Sequence, residues 1–309
     1  KMRIAGGAFS PDKGRRMNEC SQGNVLDELV TLLDLEPIEK NIFRGQSQDL
    51  GFGNVFGGQV LGQSLSAASK TLDPLFQAHS MHGYFMRPGD ATKPIVYMVD
   101  CIRDGRSFST RRVVAIQNRR AIFSMSASFH QDETGFDHQE TMPDVPGPEG
   151  IEPELEMAKR LARKSPPGLF DKLLCEKPIE IRVLNPVNPF KPKVMPPEKL
   201  VWFRAISTMP DDIATHRYML AYASDFQLVS TSLHPHGKTF WTPDMQVASL
   251  DHSIWFHRPF RMDDWLLYMM KSPSAFKGRG MNIGKIFTRD GFLVATVAQE
   301  GLIRPIKPK

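Results

Sequence analysis

One carboxylate, Asp225, lies in an otherwise apolar stretch of the chain, residues 221–226, and is the first side chain to suggest chemistry. Burying a carboxylate is costly unless the group is paired or takes part in function. An Asp at such a position is also typical of a helix cap or of the solvated face of a helix. The sequence leaves both interpretations of Asp225 open.

The common signatures of enzyme chemistry do not occur. Gly51-Phe52-Gly53 lacks the third glycine of a dinucleotide-binding loop, and no GxxxxGK[ST], HExxH or GxSxG motif is found. Three histidine pairs are possible metal ligands, but Asp251 is the only carboxylate adjacent to one of them. We expect no metal site and predict that these histidines pack or form hydrogen bonds: His79/His82, His234/His236 and His252/His257.

The two halves of the chain repeat one sequence pattern. In each half an aromatic residue precedes an Arg-Pro pair, at Arg87 and at Arg258, and a Gly-Arg pair and an apolar run follow. Arg87 and Ser128 are 41 positions apart, as are Arg258 and Gln299. A shared order at a shared spacing indicates a duplicated unit.

Each half also has the same predicted order of elements. A helix is predicted over 57–70 in the first half and over 214–232 in the second. Runs with strand-like alternation follow at 93–101, 107–117, 121–130, 265–271, 280–288 and 291–303. The fold class is therefore α+β, with two antiparallel sheets that each wrap a helix and could pair side by side to cover their edges.

Alignment of the two halves on Arg-Pro shows that polar side chains have accumulated in the second half. Ser249 corresponds to Ala78 and Gln299 to Ser128, and Asp225 corresponds approximately to Gly58. We therefore expect the chemistry of this protein in its second repeat.

Four segments are expected along the chain. Residues 1–16 form a leader without periodicity, and Met17 is a possible original start. A first repeat covers 17–142 and a second covers 198–309. Between them, 143–197 holds 12 of the 24 prolines and forms a connector with a short helix within 151–164 and a strand at 178–183.

Composition excludes several classes of protein. The chain has 309 residues, 41% of them hydrophobic, so it is not disordered. No apolar run has the length of a membrane span. The net charge is +5, but the leader alone contributes +4, which leaves +1 for the rest. Nucleic acid is therefore not an expected partner.

Several motifs together resemble the acyl-CoA thioesterase II family, which includes bacterial thioesterase II and its peroxisomal relatives. The resemblance extends over residues 26–304. Its main carriers are Phe43-Arg44-Gly45-Gln46, Val55-Phe56-Gly57-Gly58-Gln59-Val60, His79-Ser80-Met81-His82-Gly83-Tyr84-Phe85, Arg87-Pro88-Gly89-Asp90, Tyr222-Ala223-Ser224-Asp225, Leu250-Asp251-His252-Ser253-Ile254-Trp255-Phe256-His257-Arg258-Pro259-Phe260 and Ala298-Gln299-Glu300-Gly301.

The resemblance implies a double hot-dog fold and hydrolysis of medium- to long-chain acyl-CoA to a free fatty acid and CoA, without a cofactor. It also implies that Asp225, Ser249 and Gln299 hold the attacking water, with Asp225 as general base or water orienter. Position 249 is Thr in some members, and Ser keeps the hydroxyl. Donors to the oxyanion would come from backbone N–H groups near a helix start or from the amide of Gln299.

The expected partner is the acyl-CoA substrate, and the resemblance implies a homodimer or homotetramer. One alternative function is a non-catalytic acyl-CoA-binding hot-dog protein. Another is a hydratase or dehydratase, which would need a histidine beside the acid; His82 belongs to the first repeat and does not supply it. The sequence ends without a Ser-Lys-Leu type signal, which favours the cytoplasm, or the peroxisome if terminal residues are missing.

Overall fold

The structure is a computed structural model that describes residues 24–51, 53–163, 174–189, 191–243 and 245–306. The predicted leader, 1–16, lies outside the described residues. The elements in chain order are α1 (Val25–Leu33), β1 (Glu36–Glu39), β2 (Ile42–Gly45), α2 (Gly57–Ser69), β3 (Gln77–Phe85), β4 (Ile95–Asp104), β5 (Phe108–Gln117), β6 (Arg120–His130), α3 (Glu154–Ala162), β7 (Ile179–Val183), β8 (Glu198–Ala205), α4 (Ile213–Ala223), a 3₁₀ helix (Val229–His236), β9 (Met245–Ser249), β10 (Asp251–Phe256), β11 (Leu266–Phe276), β12 (Arg279–Thr288) and β13 (Leu293–Pro305).

One continuous antiparallel sheet runs through both repeats, with the strand order β1-β2-β4-β5-β6-β3-β10-β13-β12-β11-β8-β7 and β9 beside the end of β13. The first repeat supplies β1–β6, the second supplies β8–β13, and the connector adds β7 at one edge. The two repeats meet where β3 pairs with β10, with Met81 opposite Ile254 and Gly83 opposite His252. The α+β architecture and the side-by-side pairing of the two sheets are thus confirmed.

The two Arg-Pro pairs occupy equivalent places in the two halves. Arg87 Nη1 donates to the carbonyl oxygen of Ala121 at 2.7 Å, and Arg258 Nη1 donates to that of Leu293 at 3.0 Å. Each arginine therefore ties the end of one junction strand to the last strand of its own repeat. This equivalence supports the duplication inferred from spacing.

Two glycines let the central helices pack backbone to backbone. A Cβ atom on Gly58 would lie 2.2 Å from the carbonyl oxygen of Tyr222, and one on Gly62 would lie 2.9 Å from that of Tyr218. These contacts run in opposite directions along α2 and α4, so the helices are antiparallel. The N-terminus of α2 consequently lies against the C-terminus of α4.

Helix α4 is shorter than the predicted 214–232, because it ends at Ala223. The hydroxyl of Ser224 donates to the carbonyl oxygen of Ala221 at 2.9 Å, and Gln227 adopts a left-handed backbone with φ 68°. A left-handed residue cannot continue an α-helix. The chain resumes as the 3₁₀ helix, so Asp225 lies in the turn between two helical segments rather than on a helix.

Strand β3 was not among the predicted strands, because it contains no Val, Ile or Thr and carries two histidines. It is a strand because it hydrogen-bonds to β6 on one side and to β10 on the other. The predicted strand at 178–183 is β7, and it extends the sheet beyond β8.

In the parts of the chain that the structure describes, none of the helices has the length and apolar character that a membrane crossing requires.

Candidate active site

The structure brings together the three polar residues singled out by the repeat alignment. Gln299 Nε2 donates to Asp225 Oδ1 at 2.7 Å, and Ser249 Oγ lies 3.4 Å from the same oxygen. Asp225 and Ser249 are half-buried, whereas Gln299 is completely buried. The carboxylate therefore lies between a short amide hydrogen bond and a long hydroxyl contact.

Sheet register explains why Ser249 and Gln299 approach Asp225. Ser249 is the last residue of β9 and pairs with Gly301, two residues beyond Gln299 on β13. Two residues separate side chains on the same face of a strand. The two strands thus present a hydroxyl and an amide next to the turn that carries the carboxylate.

Asp225 also caps a helix of the other repeat. It accepts a hydrogen bond from the backbone N–H of Gly58 in the first turn of α2, whose own N-cap residue, Phe56, makes no side-chain capping bond. A Cβ atom on Gly57 would lie 2.6 Å from Asp225 Oδ2, so the carboxylate sits directly on the helix start. The capping and functional interpretations of Asp225 therefore describe one arrangement, in which the positive end of α2 faces the carboxylate.

Burial raises the pKa of Asp225, and the hydrogen bonds from Gln299, Gly58 and Ser249 act in the opposite direction. A carboxylate with a raised pKa is a better proton acceptor near neutral pH than an exposed one. Burial, with a contribution from the charge of Asp225, also raises the pKa of Tyr222 and of Tyr268. Both phenols therefore remain neutral beside the carboxylate.

His252 belongs to this cluster, and its contact with Gln299 was not predicted. Its Nδ1 atom lies 3.0 Å from Gln299 Nε2, and its Nε2 atom lies 2.9 Å from Ser224 Oγ. His252 is fully buried, and burial lowers its pKa to about 3, so the imidazole is neutral. The sequence alignment of the two repeats contains a signal that could have found His252. It aligns His252, a polar residue, with Met81, an apolar one.

Other histidines form hydrogen bonds, as expected. His79 Nε2 lies 2.8 Å from Ser128 Oγ, and His257 Nε2 lies 2.8 Å from Thr296 Oγ1. His82 is exposed and packs against Trp255 at the repeat junction, so it does not join the cluster. Among the residues that the structure describes, no group of three His, Cys, Asp or Glu side chains could hold a metal ion.

The hydrogen bonds of Gln299 bear on one of the two alternatives for the oxyanion donor. Its amide was a candidate donor to the oxyanion, but its nitrogen already donates to Asp225 and to His252. An amide nitrogen carries two protons, so no donor remains. The other amide atom, Oε1, is buried and forms no hydrogen bond with any residue in the described ranges. Gln299 therefore offers an acceptor at this place.

Comparison with known proteins gives consistent matches over nearly the whole chain. Residues 46–130 match the family model described as the acyl-CoA thioesterase N-terminal domain, and residues 170–302 match the acyl-CoA thioesterase model. The chain is 47% identical over 281 residues to "Acyl-CoA thioesterase 2" of Haemophilus influenzae, covering 91% of this chain and 98% of that protein. It is 39% identical over 297 residues to human "Acyl-coenzyme A thioesterase 8", covering 93% and 92%.

Solved structures agree with these matches. The acyl-CoA thioesterase II TesB2 of Mycobacterium marinum is 42% identical and superposes with a TM-score of 0.73, covering 90% of this chain and 98% of that one. A hot-dog protein of unknown function from Alicyclobacillus acidocaldarius, 20% identical, gives a TM-score of 0.73 and supports the fold alone. The double hot-dog architecture is thereby confirmed.

Proposed function

The chain belongs to the acyl-CoA thioesterase family, and we propose that it hydrolyses medium- to long-chain fatty acyl-CoA by direct attack of a water held by Asp225, Ser249 and Gln299. As in its relatives, the activity is that of a thioester hydrolase. One observation carries the assignment of the site. Gln299 binds the carboxylate of Asp225 through Nε2, and Oε1 of the same amide is buried without a hydrogen-bond partner among the residues that the structure describes.

Two acceptors are what a nucleophilic water requires. A thioester carbonyl is electrophilic, so the water needs orientation and a proton acceptor more than it needs a covalent nucleophile. In the proposed complex the water donates one hydrogen bond to Asp225 and the other to Gln299 Oε1. A lone pair of the water oxygen is then free to face the carbonyl carbon. The hydroxyl of Ser249 lies next to the carboxylate, 3.4 Å from Asp225 Oδ1.

Asp225 is the only group that has to accept and return a proton in the proposed reaction. Water oxygen bonds to the carbonyl carbon while one water proton moves to Asp225, which gives a tetrahedral intermediate with a negatively charged oxygen. Collapse of this intermediate breaks the carbon–sulfur bond and forms the fatty acid. The proton on Asp225 then passes to the departing CoA sulfur, which restores the carboxylate, and no cofactor takes part.

The start of α2 is the proposed source of oxyanion stabilisation. Backbone N–H groups of a first helical turn have no partner within the helix, and the helix dipole is positive there. Gly57 is the first residue of α2, and its N–H is the proposed donor, because the N–H of Gly58 is already directed to Asp225. This site lies on the first repeat, so both repeats contribute to one reaction centre.

Aromatic side chains next to the carboxylate form the proposed wall for the acyl chain. Phe56 stacks on Phe226 with ring centroids 4.5 Å apart, and Phe85 lies 3.1 Å from the Cβ position of Gly57. All three rings are half-buried and pack against the main core. An apolar surface of this kind favours fatty acyl groups over polar ones.

The test of this proposal is release of CoA thiol from a panel of acyl-CoAs of increasing chain length. We expect the wild type to hydrolyse medium and long chains, and we expect Asp225→Asn, which keeps the shape of the side chain, to be about 1,000-fold slower. Tight acyl-CoA binding by the wild type without thiol release would instead establish the alternative function, a binding protein. Release at the wild-type rate by a folded Asp225→Asn variant would remove Asp225 from the mechanism.

Two further sequence-based expectations are kept as proposals. We propose that the protein acts in the cytoplasm, which fractionation of the source cells would test. A homodimer or homotetramer is also proposed, and light scattering of the purified protein measures its mass against the 34.9 kDa of one chain.

A further inference from the structure

A directed chain of hydrogen bonds reaches the reaction centre from the C-terminal end of α4. The carbonyl oxygen of Ala221 can only accept, so the hydroxyl of Ser224, 2.9 Å away, donates to it. Ser224 Oγ must then accept from the nitrogen that it contacts, His252 Nε2, also at 2.9 Å. The single proton of the neutral imidazole is therefore on Nε2.

The remaining nitrogen of His252 fixes the orientation of an amide. With Nε2 protonated, Nδ1 is an acceptor, and it receives an N–H of Gln299 at 3.0 Å. Reversal of this amide would place Oε1 against the lone pair of Nδ1 and against the carboxylate of Asp225. Both contacts would be repulsive, so His252 and Asp225 favour the same orientation.

We propose that His252 is a positioning residue which, together with Ser224, holds the amide of Gln299 so that Oε1 faces the hydrolytic water. This inference rests on the proposed function, because it assigns Oε1 a water to accept from. His252 does not contact the reacting atoms in this arrangement. It acts only through Gln299.

The catalytic cycle gives a reason why Asp225 alone is not enough. While ionised, Asp225 can only accept, and it holds the amide nitrogen of Gln299 towards itself. After it has taken a proton from water, its carboxylic acid can also donate, and it could pair with Oε1 of a reversed amide. The imidazole of His252 keeps its protonation throughout, so its bond to Gln299 Nε2 preserves the orientation for the next turnover.

Ser224 is itself held on its other side. Tyr268 Oη donates to the backbone carbonyl oxygen of Ser224 at 2.9 Å, and the ring of Tyr268 occupies the space left open by Gly284. The residue that sets the tautomer of His252 is thereby anchored to β11 as well as to α4. The orientation of Gln299 depends on buried groups of two strands and one helix end.

A matched pair of variants separates positioning from packing. In His252→Asn the amide oxygen can take the place of Nδ1 and accept from Gln299, whereas in His252→Gln the longer side chain places its amide near Ser224. We expect kcat to fall about 100-fold in His252→Gln with KM little changed, since misplacement by about 1 Å has that effect. His252→Asn should retain most of the wild-type kcat.

A third variant, Ser224→Ala, removes the acceptor that selects the tautomer and leaves a small side chain in place. We expect a reduced kcat and a mixture of tautomers in ¹⁵N NMR of the imidazoles, whereas the wild type should show His252 as the neutral Nε2–H form. This spectrum needs no substrate. It therefore reports on His252 even if the wild type proves unable to hydrolyse acyl-CoA, in which case the proposed function fails first.

The inference is overturned if His252→Gln is folded and keeps the wild-type kcat, or if the wild-type spectrum shows the proton of His252 on Nδ1. It is also overturned if His252→Asn and His252→Gln lose equal activity in proportion to their loss of thermal stability, because a packing role alone predicts that. Loss of activity in Asp225→Asn with unchanged His252 variants would leave the proposed function intact and remove only the role of His252.

Discussion

Asp225 Oδ2 lies 2.6 Å from the point at which a Cβ atom on Gly57 would stand, although the two residues belong to different repeats. The carboxylate of the second repeat thus occupies the space that any side chain at the start of α2 would need. The proposed reaction centre lies where the antiparallel helices α2 and α4 bring these two ends together.

Gly57→Ala tests this contact directly. The added methyl group would collide with Asp225 Oδ2 and with the ring of Phe85, so the carboxylate must move. We expect kcat to fall about 100-fold while the protein stays folded, because a displacement of about 1 Å is enough. Gly135→Ala, where the new methyl group meets no atom within 4 Å, is the control for the kinetic assay and should behave like wild type. Full activity of Gly57→Ala would contradict the placement of Asp225.

Gly58→Ala should act on stability. Its Cβ atom would lie 2.2 Å from the carbonyl oxygen of Tyr222, and a backbone atom cannot rotate away as a side chain can. Overpacking of this kind costs about 2 kcal/mol. Urea unfolding followed by circular dichroism should show that loss in the free energy of unfolding relative to wild type and to Gly135→Ala. An unchanged midpoint would mean that α2 and α4 are further apart than described.

The pH dependence of kcat should report the carboxylate of Asp225. Burial raises its pKa above the ordinary 3.8, and the reaction needs the ionised form, so kcat should decline on the acid side with an apparent pKa above that value. The hydrogen bond from Gln299 lowers this pKa. In Gln299→Leu the acid limb should therefore move to higher pH, and a limb that moves to lower pH would contradict the assignment.

Ionisation of Asp225 should lower the stability of the folded protein, although the same ionisation is needed for activity. Because its pKa is raised on folding, the ionised carboxylate destabilises the folded state above that pKa, and protonation relieves the cost as the pH falls through it. Asp225→Asn should therefore have a higher Tm than wild type near neutral pH, with the difference shrinking as the pH is lowered towards 3.8. A Tm difference that grows on acidification would exclude a raised pKa.

Ser249 should tolerate exchange of one hydroxyl for another. Its Oγ atom is 3.4 Å from Asp225 Oδ1, a weak contact that Thr can also make. We expect Ser249→Thr to retain activity and Ser249→Ala to lose about tenfold in kcat, the effect of one hydrogen bond to a charged group. Equal loss in both variants, measured by thiol release, would point to packing at this position.

Much of the fold was predictable because the chain contains two copies of one unit. Each copy shows the same hydrophobic periodicity and the same spacing, so the helix and the strands that follow it could be predicted in both halves. The second helix and strand β3 were less accessible. The helix ends at Ala223 since Ser224 and Gln227 redirect the backbone, and β3 is a strand since two neighbours pair with it. The helix end depends on the conformation of a single turn, and β3 depends on pairing with residues distant in sequence. Local hydrophobic patterns contain neither kind of information.

The candidate site was predictable to the extent that the two repeats differ. Comparing the halves identified Asp225 and Gln299 because the first repeat has small residues there. The same comparison aligns His252 with Met81. The role of His252 at the candidate site, however, follows only from its distances to Gln299 and Ser224. That Asp225 caps a helix of the other repeat could not be read from the chain, since it depends on how α2 and α4 pack.

The central claim, direct attack of water with Asp225 as the base, is tested most directly by a single-turnover experiment with enzyme in excess over acyl-CoA. CoA thiol and free fatty acid are measured in the same quenched samples for wild type and Asp225→Asn. The two products should appear at one common rate in the wild type, and both should form about 1,000-fold more slowly in Asp225→Asn. Thiol release that runs ahead of fatty acid formation would indicate an acyl-enzyme and contradict the claim, as would a wild-type rate in Asp225→Asn.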